Sequence, residues 1–392
     1  QSSVLASLLS NFRPNPVILG LLMLRAILGL LAVSFAISWV STWLIIPLAA
    51  RIGFIDRPGG RKVHANPKPL GGGIAIFLGF ALPLGAGLIL LHVASPPANT
   101  LEFPWQAYWS GARQQTPLAI AILAAAAGLH ILGLIDDRSA LGAYPKLLCQ
   151  LALSSALVFG ADRRILTALD QYLGWGRWPS QVLTILWITA VTNAFNFLDN
   201  MDGLSAGVAA VCTTAFLIAA LSIQQWFVAA ALALLLGAIL GFLCFNFPPA
   251  RIFMGDSGSL LLGFLLGVMT VLGTYLPPGA DFANRWWSVF SPVIVLALPL
   301  YDLVVVSFLR ILRGQSPFVG DTNHFSHRLV ARGMSRRTAV LCLYLVTAAT
   351  SVAAIILPQV RTTYSAMLLV GQTFLILGVV ALLEQHPLPP EK

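Results

Sequence analysis

Three polar side chains end an apolar run near the middle of the chain. Asn196, Asp199 and Asp202 are spaced i, i+3, i+6 in the stretch NAFNFLDNMDG. On a helix this spacing puts all three on one broad face. Ionisable groups at a membrane boundary are costly unless they are solvated or paired. The stretch therefore predicts an oxygen-rich site for Mg²⁺ or for the polar edges of a substrate. The alternative is a helix end that simply reaches water.

A pair of adjacent acids closes another apolar run. Asp136 and Asp137 stand in LIDDR, and Lys146 follows shortly afterwards. Adjacent carboxylates repel each other, so a nearby cation or metal ion stabilises the pair. The pattern suits proton abstraction or metal binding. The alternatives are an acidic turn at a helix end and, for Lys146, an ordinary anchor at the membrane surface.

A further acid stands at the start of an apolar run, in RIFMGDSGSLLLGF. Asp256 occupies a position where an N-cap residue is common for structural reasons alone. The small residues around it would let a phosphate or a metal ion approach the amino terminus of the following helix. Phe253 suits stacking on a base or packing against lipid, and the sequence does not separate the two.

Two histidines and an arginine occur together near the carboxyl-terminal part of the chain. His324 and His327 are spaced i, i+3 in DTNHFSHRLVARG, with Arg328 adjacent, which gives a cationic edge suited to phosphate oxygens. A zinc pair is disfavoured because no third nitrogen or sulfur ligand lies nearby. Asp302, inside an apolar run, is expected to pair within the bundle and shape the site.

A basic, glycine-rich loop follows the first apolar run. The segment RPGGRKVHANPKPLGGG contains no GxxxxGK[ST] and does not follow a strand, so it is not a P-loop. Lys62, His64 and Lys68 are candidate contacts to a lipid phosphate or a nucleotide. The final glycines alternatively permit close packing at the start of the next helix.

The composition identifies the kind of protein that must position these residues. Of 392 residues, 58% are hydrophobic and 9% charged, and the mean hydropathy of +0.85 excludes a soluble domain. We expect an all-α polytopic membrane protein, one domain over 1–392, with ten to eleven transmembrane helices in one bundle. The predicted spans are about 25–49, 70–92, 116–135, 147–161, 180–198, 203–222, 225–246, 258–276, 288–309, 338–357 and 363–384.

The charged residues and the cysteines indicate the binding partners, the membrane orientation and the absence of a disulfide framework. The net charge is +9, but the basic residues are scattered through loops, which disfavours nucleic acid and favours membrane lipids and phosphates. The side that carries the motifs holds 15 of the 23 Lys and Arg, so the positive-inside rule predicts a cytoplasmic site and an external amino terminus. The four cysteines form no CxxC pair, indicate neither a disulfide framework nor zinc, and are expected in the core.

Taken in order, the motifs resemble a known membrane family. RKVHANPKPLGGG, LIDDR with Lys146, NAFNFLDNMDG, FMGDSGS and HFSHR over about residues 51–335 are similar to those of the polyprenyl-phosphate N-acetylhexosamine-1-phosphate transferases of glycosyltransferase family 4. The resemblance implies transfer of a sugar 1-phosphate from a UDP-N-acetylhexosamine to undecaprenyl phosphate. GlcNAc-1-phosphate is the group expected. The products are UMP and a pyrophosphate-linked lipid that starts a cell-envelope glycan such as lipopolysaccharide or teichoic acid, at the bacterial inner membrane.

The resemblance also implies roles for individual residues. Mg²⁺, which Mn²⁺ could replace, would be held by Asp256 and Asn196. Asp136 and Asp137 match the paired acids, of which one deprotonates the lipid phosphate, and Lys146 matches a contact to that phosphate. The resemblance therefore implies three catalytic residues, Asp136, Asp137 and Asp256. The oligomeric state stays open, with a homodimer as one expectation.

The nucleotide and sugar positions follow from the same resemblance. Asp199, Asp202 and Phe253 match the nucleotide-binding region, and His324, His327 and Arg328 fall in the loop that contacts sugar and diphosphate. Sugar-specific relatives often carry HxHH where this chain has HFSH, with Ser326 in place of the middle histidine. This departure leaves the exact sugar open. Phospho-MurNAc-pentapeptide transfer is the alternative within the resemblance, although the three-histidine loop of those enzymes matches this chain less well. Two alternatives belong to other functional classes. A secondary transporter would place polar groups near the midplane of the bilayer, and a lipid flippase would need no UDP-sugar.

Overall fold

Almost every apolar run of the sequence forms a helix. The computed structural model describes residues 16–56, 67–98, 105–167, 170, 173–273, 275, 285–316 and 324–385. The first helices are α1 Pro16–Arg51, α2 Gly72–Val93, α3 Trp105–Gln114, α4 Thr116–Arg138, α5 Ala143–Ala161, α6 Trp178–Leu198 and α7 Leu204–Ser222. The others are α8 Trp226–Asn246, α9 Asp256–Leu272, α10 Ser291–Val295, α11 Ala297–Leu312, α12 Phe325–Ala331, α13 Arg336–Ile356 and α14 Thr363–Gln385.

The predicted polytopic all-α architecture is confirmed. Within the described residues, nine helices are long and apolar enough to cross a membrane, and a bent helix pair makes ten. The shorter apolar helix α9 brings the apolar segments to the predicted number. Strand structure in the described part of the chain is confined to one antiparallel pair, β1 Ile55–Asp56 and β2 Lys68–Pro69.

The span predicted at 288–309 is broken. A 3₁₀ segment, Trp286–Phe290, runs into α10, and α11 then turns away by 70°. Pro299 lies in the first turn of α11 and has no N–H to continue the hydrogen-bond ladder of the preceding helix. Hydropathy alone reads both pieces as one span, since both are apolar. Helix α3 was not expected, because it is short and polar on one side.

The three helices α7, α8 and α9 form the centre of the bundle. Nearly all of α9 is buried, and it packs against α4, α6 and α2. Helix α8 approaches α1 closely: Ser34 Oγ donates to Leu234 O at 2.5 Å and Ser38 Oγ donates to Ala238 O at 2.6 Å. Gly237 lies against the α1 backbone, so any side chain there would push the helices apart. Small residues and inter-helix hydrogen bonds are the usual means of helix association in lipid.

The cysteines are free thiols, as expected, but they do not all lie in the core. Cys212 is buried, Cys342 is half-buried, and Cys149 and Cys244 are exposed. The core expectation was wrong for the last two because an apolar residue in a span can face lipid as readily as another helix.

Candidate functional site

Two loops pair to form the floor of the site. Phe253 N donates to Pro69 O at 2.9 Å, Gly72 N donates to Phe253 O at 3.0 Å, and Gly73 N donates to Met254 O at 3.0 Å. A Cβ at Gly73 would overlap the backbone of Ser257. The glycines that end the basic loop therefore permit close packing against the segment that carries Asp256.

The amino terminus of α9 is capped by a side chain from another helix. Asp137, at the end of α4, accepts from the backbone N of Asp256 at 2.7 Å and of Ser257 at 3.2 Å. A carboxylate at this position satisfies N–H groups that have no partner within the helix. Gly133 lies one turn earlier on α4, where a Cβ would overlap the Ser257 backbone. The structure thus gives these N–H groups to Asp137, whereas the sequence suggested a phosphate there.

One lysine joins acids from two helices. Lys146, in the first turn of α5, donates from Nζ to Asp136 Oδ2 at 2.9 Å and to Asp256 Oδ2 at 2.7 Å. Asp136 Oδ1 also accepts from Leu141 N at 2.8 Å. Lys146 is therefore more than a surface anchor, because its ammonium lies between two carboxylates that would otherwise repel each other.

The opposite edge of Asp256 is met by α6. Asn196 Nδ2 donates to Asp256 Oδ1 at 3.0 Å and to Ser259 Oγ at 2.9 Å. The ends of α4, α6 and α9 therefore converge on one carboxylate. The predicted convergence of Asn196, Asp256 and the Asp136–Asp137 pair is present in the structure.

The turn after α6 holds two more acids. Asp202 accepts from Ala250 N at 2.9 Å and so fixes the loop that leads to Phe253. Asp199 is half-buried. Desolvation raises its pKa well above the usual value, and the charges of Asp256 and Asp137 raise it further. A carboxylate surrounded by other carboxylates favours the approach of a cation.

Asn246 and Asn200, two residues without a predicted role, hold this turn in place. Asn246 accepts from Gly203 N at 3.0 Å and donates to Ile252 O at 2.8 Å. Asn200 accepts from Ser326 Oγ at 2.5 Å. Both asparagines stand inside motif-bearing stretches, and that position is the only sequence signal that pointed to them.

The histidine segment is docked on the same end of the bundle. Asp302 contacts His324 Nδ1 at 2.9 Å and accepts from Phe325 N at 3.1 Å, so its expected pairing within the bundle is present. The His324 ring lies edge-on to Phe197, with ring centroids 5.9 Å apart. Helix α12, which carries His327 and Arg328, is thereby held beside the end of α6.

The basic loop is described only in part. Lys68 donates from Nζ to Ala250 O, so in this structure it supports the loop before Phe253. Lys62 and His64, the other two predicted phosphate contacts, lie outside the described residues. Phe253 is partly exposed at the floor of the site.

The donor set at Asp256 fits a hard divalent cation. Carboxylate and amide oxygens are the ligands that Mg²⁺ prefers. The residues described here contain no group of three or more His, Cys, Asp or Glu arranged to hold a metal ion. Mg²⁺ is commonly held by one or two carboxylates together with substrate phosphates, and Asp256 supplies one such carboxylate. Asn196 turns Nδ2 toward Asp256 and Ser259, so it would bind the ion only with its amide rotated to present Oδ1.

Comparison with known proteins gives consistent matches. The model of the family described as glycosyl transferase family 4 matches residues 119–274. A "probable undecaprenyl-phosphate N-acetylglucosaminyl 1-phosphate transferase" of Bacillus subtilis is 32% identical over 361 residues, covering 90% of this chain and 91% of the relative. A "decaprenyl-phosphate N-acetylglucosaminephosphotransferase" of Mycobacterium tuberculosis is 33% identical, covering 82% and 79%. A "phospho-N-acetylmuramoyl-pentapeptide-transferase" of Desulforudis audaxviator is 34% identical, covering 61% and 74%.

Proposed function

The chain belongs to glycosyl transferase family 4, and we propose that it transfers N-acetylglucosamine 1-phosphate from a UDP-sugar to a polyprenyl phosphate, releasing UMP. The observation that carries the proposal is the convergence of Lys146, Asn196 and Asp136 around Asp256. Two anionic phosphates must be brought together in this reaction. A site with a cation, amide groups and hard oxygen ligands suits that task.

The extent of the relationships favours the GlcNAc donor. The alignment with the B. subtilis protein covers 90% of this chain, and that with the D. audaxviator pentapeptide transferase covers 61%. Undecaprenyl phosphate is the proposed acceptor, as in the name of the first relative. The polar groups gather at one end of the bundle, which disfavours a secondary transporter with a midplane site.

On the acceptor side, we assign the proton transfer to Asp136. Its contact with Lys146 places it where the lipid phosphate would be held by the ammonium. Asp137 holds the first turn of α9 through two backbone N–H groups, and through that turn it orients Asp256. Removal of the proton from the acceptor leaves an oxyanion that attacks the β-phosphorus of the donor, with UMP as the leaving group.

On the donor side, Asp256 and Asn196 are the proposed ligands of Mg²⁺, which Mn²⁺ can replace. When bound, the ion would neutralise the donor diphosphate and the departing UMP. Asp199, Asp202 and Phe253 would hold the nucleotide. His324, His327 and Arg328 would contact the sugar and diphosphate from α12.

The side of the membrane follows from charge. In the sequence, most of the Lys and Arg stand in the segments that carry the motifs or beside them, so we place the site in the cytoplasm of a bacterium, with the amino terminus outside. A soluble UDP-sugar reaches the site from that side while the lipid tail stays in the bilayer. We keep the homodimer as a prediction, which the mass of the purified protein tests.

Transfer is tested directly with purified protein. Incubation with radiolabelled UDP-GlcNAc, undecaprenyl phosphate and Mg²⁺ should move label into the organic phase and release UMP. UDP-GalNAc and UDP-MurNAc-pentapeptide complete the donor panel, and Asp256→Asn is the negative control. Absence of extractable label with every donor would refute the transferase proposal, and label from UDP-MurNAc-pentapeptide alone would select the alternative.

A further inference from the structure

A buried carboxylate on α11 holds the histidine segment from behind. Asp302 is 1% exposed. One oxygen lies 2.9 Å from His324 Nδ1, and the other accepts from Phe325 N at 3.1 Å. A carboxylate this deeply buried is costly unless both oxygens are satisfied. Here both oxygens contact the first residues of one short segment.

The two contacts have different consequences. The bond from Phe325 N caps the start of α12, which a purely structural acid would also do. The bond to His324 does something else: because the carboxylate accepts, Nδ1 must carry a proton. The ring orientation is then fixed, and Nε2 is the nitrogen left for another group.

The surroundings of His324 place its ring beside the site. Its ring lies edge-on to Phe197, two residues before Asp199. Ser326, buried beside it, donates to Asn200 on the same turn. The imidazole is therefore enclosed between α11, which carries Asp302, and the acid-bearing turn after α6.

We propose that Asp302 is a positioning residue for the donor: it orients His324 so that Nε2 faces the sugar–diphosphate portion of the UDP-sugar. The inference rests on the proposed function, because it assigns the donor to this edge of the site. It goes further in two respects. His324 must keep one ring orientation, and Asp302 affects the use of the donor only by holding His324 in that orientation.

Two substitutions separate orientation from simple support. Asp302→Asn keeps the size and one acceptor but presents an amide N–H as well, so the hydrogen bond to Nδ1 can reverse. His324→Asn keeps a donor close to the Nδ1 position and removes Nε2. Each variant is expected to lower kcat/KM for UDP-GlcNAc by about 10- to 100-fold, the usual range for groups that orient a functional side chain. The KM for polyprenyl phosphate should stay near that of the unsubstituted protein.

The double variant is decisive. If Asp302 acts through His324, the Asp302→Asn/His324→Asn protein should be no slower than His324→Asn alone, because effects of coupled residues are not additive. Asp170→Asn is the matched control. Like Asp302, Asp170 contacts a basic side chain and a backbone N–H, and its side chain is 12% exposed, but its partners are Arg164 and Ser180, away from the site. It should leave kcat/KM unchanged. Melting temperatures of the full chain in detergent show whether each variant is folded.

Three results would overturn the inference. The first is a double variant whose loss equals the product of the two single losses. The second is a His324→Asn protein with full activity, and the third is an equal change in the constants for donor and acceptor. Failure of the proposed function gives a different result, because the unsubstituted protein would then transfer no label from any donor. That result would refute the present inference as well.

Discussion

Replacing Lys146 by methionine tests the electrostatic arrangement of the site. The ammonium lies 2.9 Å from Asp136 and 2.7 Å from Asp256. Because both carboxylates contact one Nζ, their nearest oxygens are within about 5.6 Å of each other. Methionine keeps most of the length and apolar volume of the side chain but leaves the two acids facing each other without the cation.

The distances give the size of the effect. Two unit charges about 5.6 Å apart repel by about 3 kcal/mol at an effective dielectric constant of about 20. The three side chains are 12% to 26% exposed, so solvent screens part of this, and we expect a loss of about 1–3 kcal/mol in unfolding free energy without metal. In catalysis, the proposed contact of Lys146 with the acceptor phosphate would be lost, and a charge-assisted hydrogen bond contributes about 1.5–3 kcal/mol. That corresponds to about a 10- to 150-fold fall in kcat/KM for the acceptor.

Steady-state transfer separates the two substrates. Polyprenyl phosphate is varied at saturating UDP-GlcNAc and then the reverse, with Lys146→Arg as the variant that keeps a cation. The loss should appear in kcat/KM for polyprenyl phosphate and not in kcat/KM for UDP-GlcNAc. Added Mg²⁺ should raise the melting temperature of Lys146→Met more than that of the unsubstituted protein, because a divalent cation relieves the exposed repulsion. An equal loss for both substrates would refute the lipid-phosphate role, and an unchanged melting temperature in EDTA would refute the electrostatic reasoning.

Four further outcomes are expected. Asp256→Asn should abolish transfer while the protein still elutes as a folded species in size-exclusion chromatography, and retained activity would contradict the metal assignment. Asp137→Ala should cost about 0.5–2 kcal/mol, the usual loss for a helix cap, seen as faster hydrogen exchange at the start of α9; unchanged exchange would argue against capping. Gly133→Leu should destabilise the protein because a side chain there meets the Ser257 backbone, whereas Gly87→Leu, where a Cβ meets nothing within 4 Å, should not; equal melting temperatures would contradict this packing. EDTA should stop transfer and Mg²⁺ or Mn²⁺ should restore it, so activity in EDTA would exclude a required divalent ion.

The helices were predictable from hydropathy because burial in lipid requires about 20 apolar residues per span. The number and positions of the spans followed from that requirement. The break before Ala297 did not, since apolar composition is the same on both sides of a 70° bend. Helix α3 was missed for the opposite reason: it is too short and polar to appear in a search for spans.

The acids that converge at these helix ends were predictable, and most of their partners were not. Acids at membrane boundaries are costly unless they are solvated or paired, so Asp136, Asp199 and Asp256 could be singled out from their positions at the ends of apolar runs. That Asp137 caps α9 depends on two helix ends meeting 119 positions apart in sequence. Lys68 illustrates the reverse case, since a lysine beside glycines suggested a phosphate but contacts the Ala250 carbonyl.

The charge of the site predicts that the donor and the proposed metal ion bind together. Asp136 and Asp256 share one lysine, and Asp137 contacts the backbone N of Asp256. An anionic diphosphate approaching this group would be repelled, because the acids beside it outnumber the lysine that joins them. A divalent cation held by Asp256, as proposed, would reverse the sign of that interaction, and phosphate oxygens are common ligands of such an ion. UDP-GlcNAc should therefore bind weakly in EDTA and tightly with Mg²⁺, and an affinity independent of the ion would mean that the acids serve structure alone.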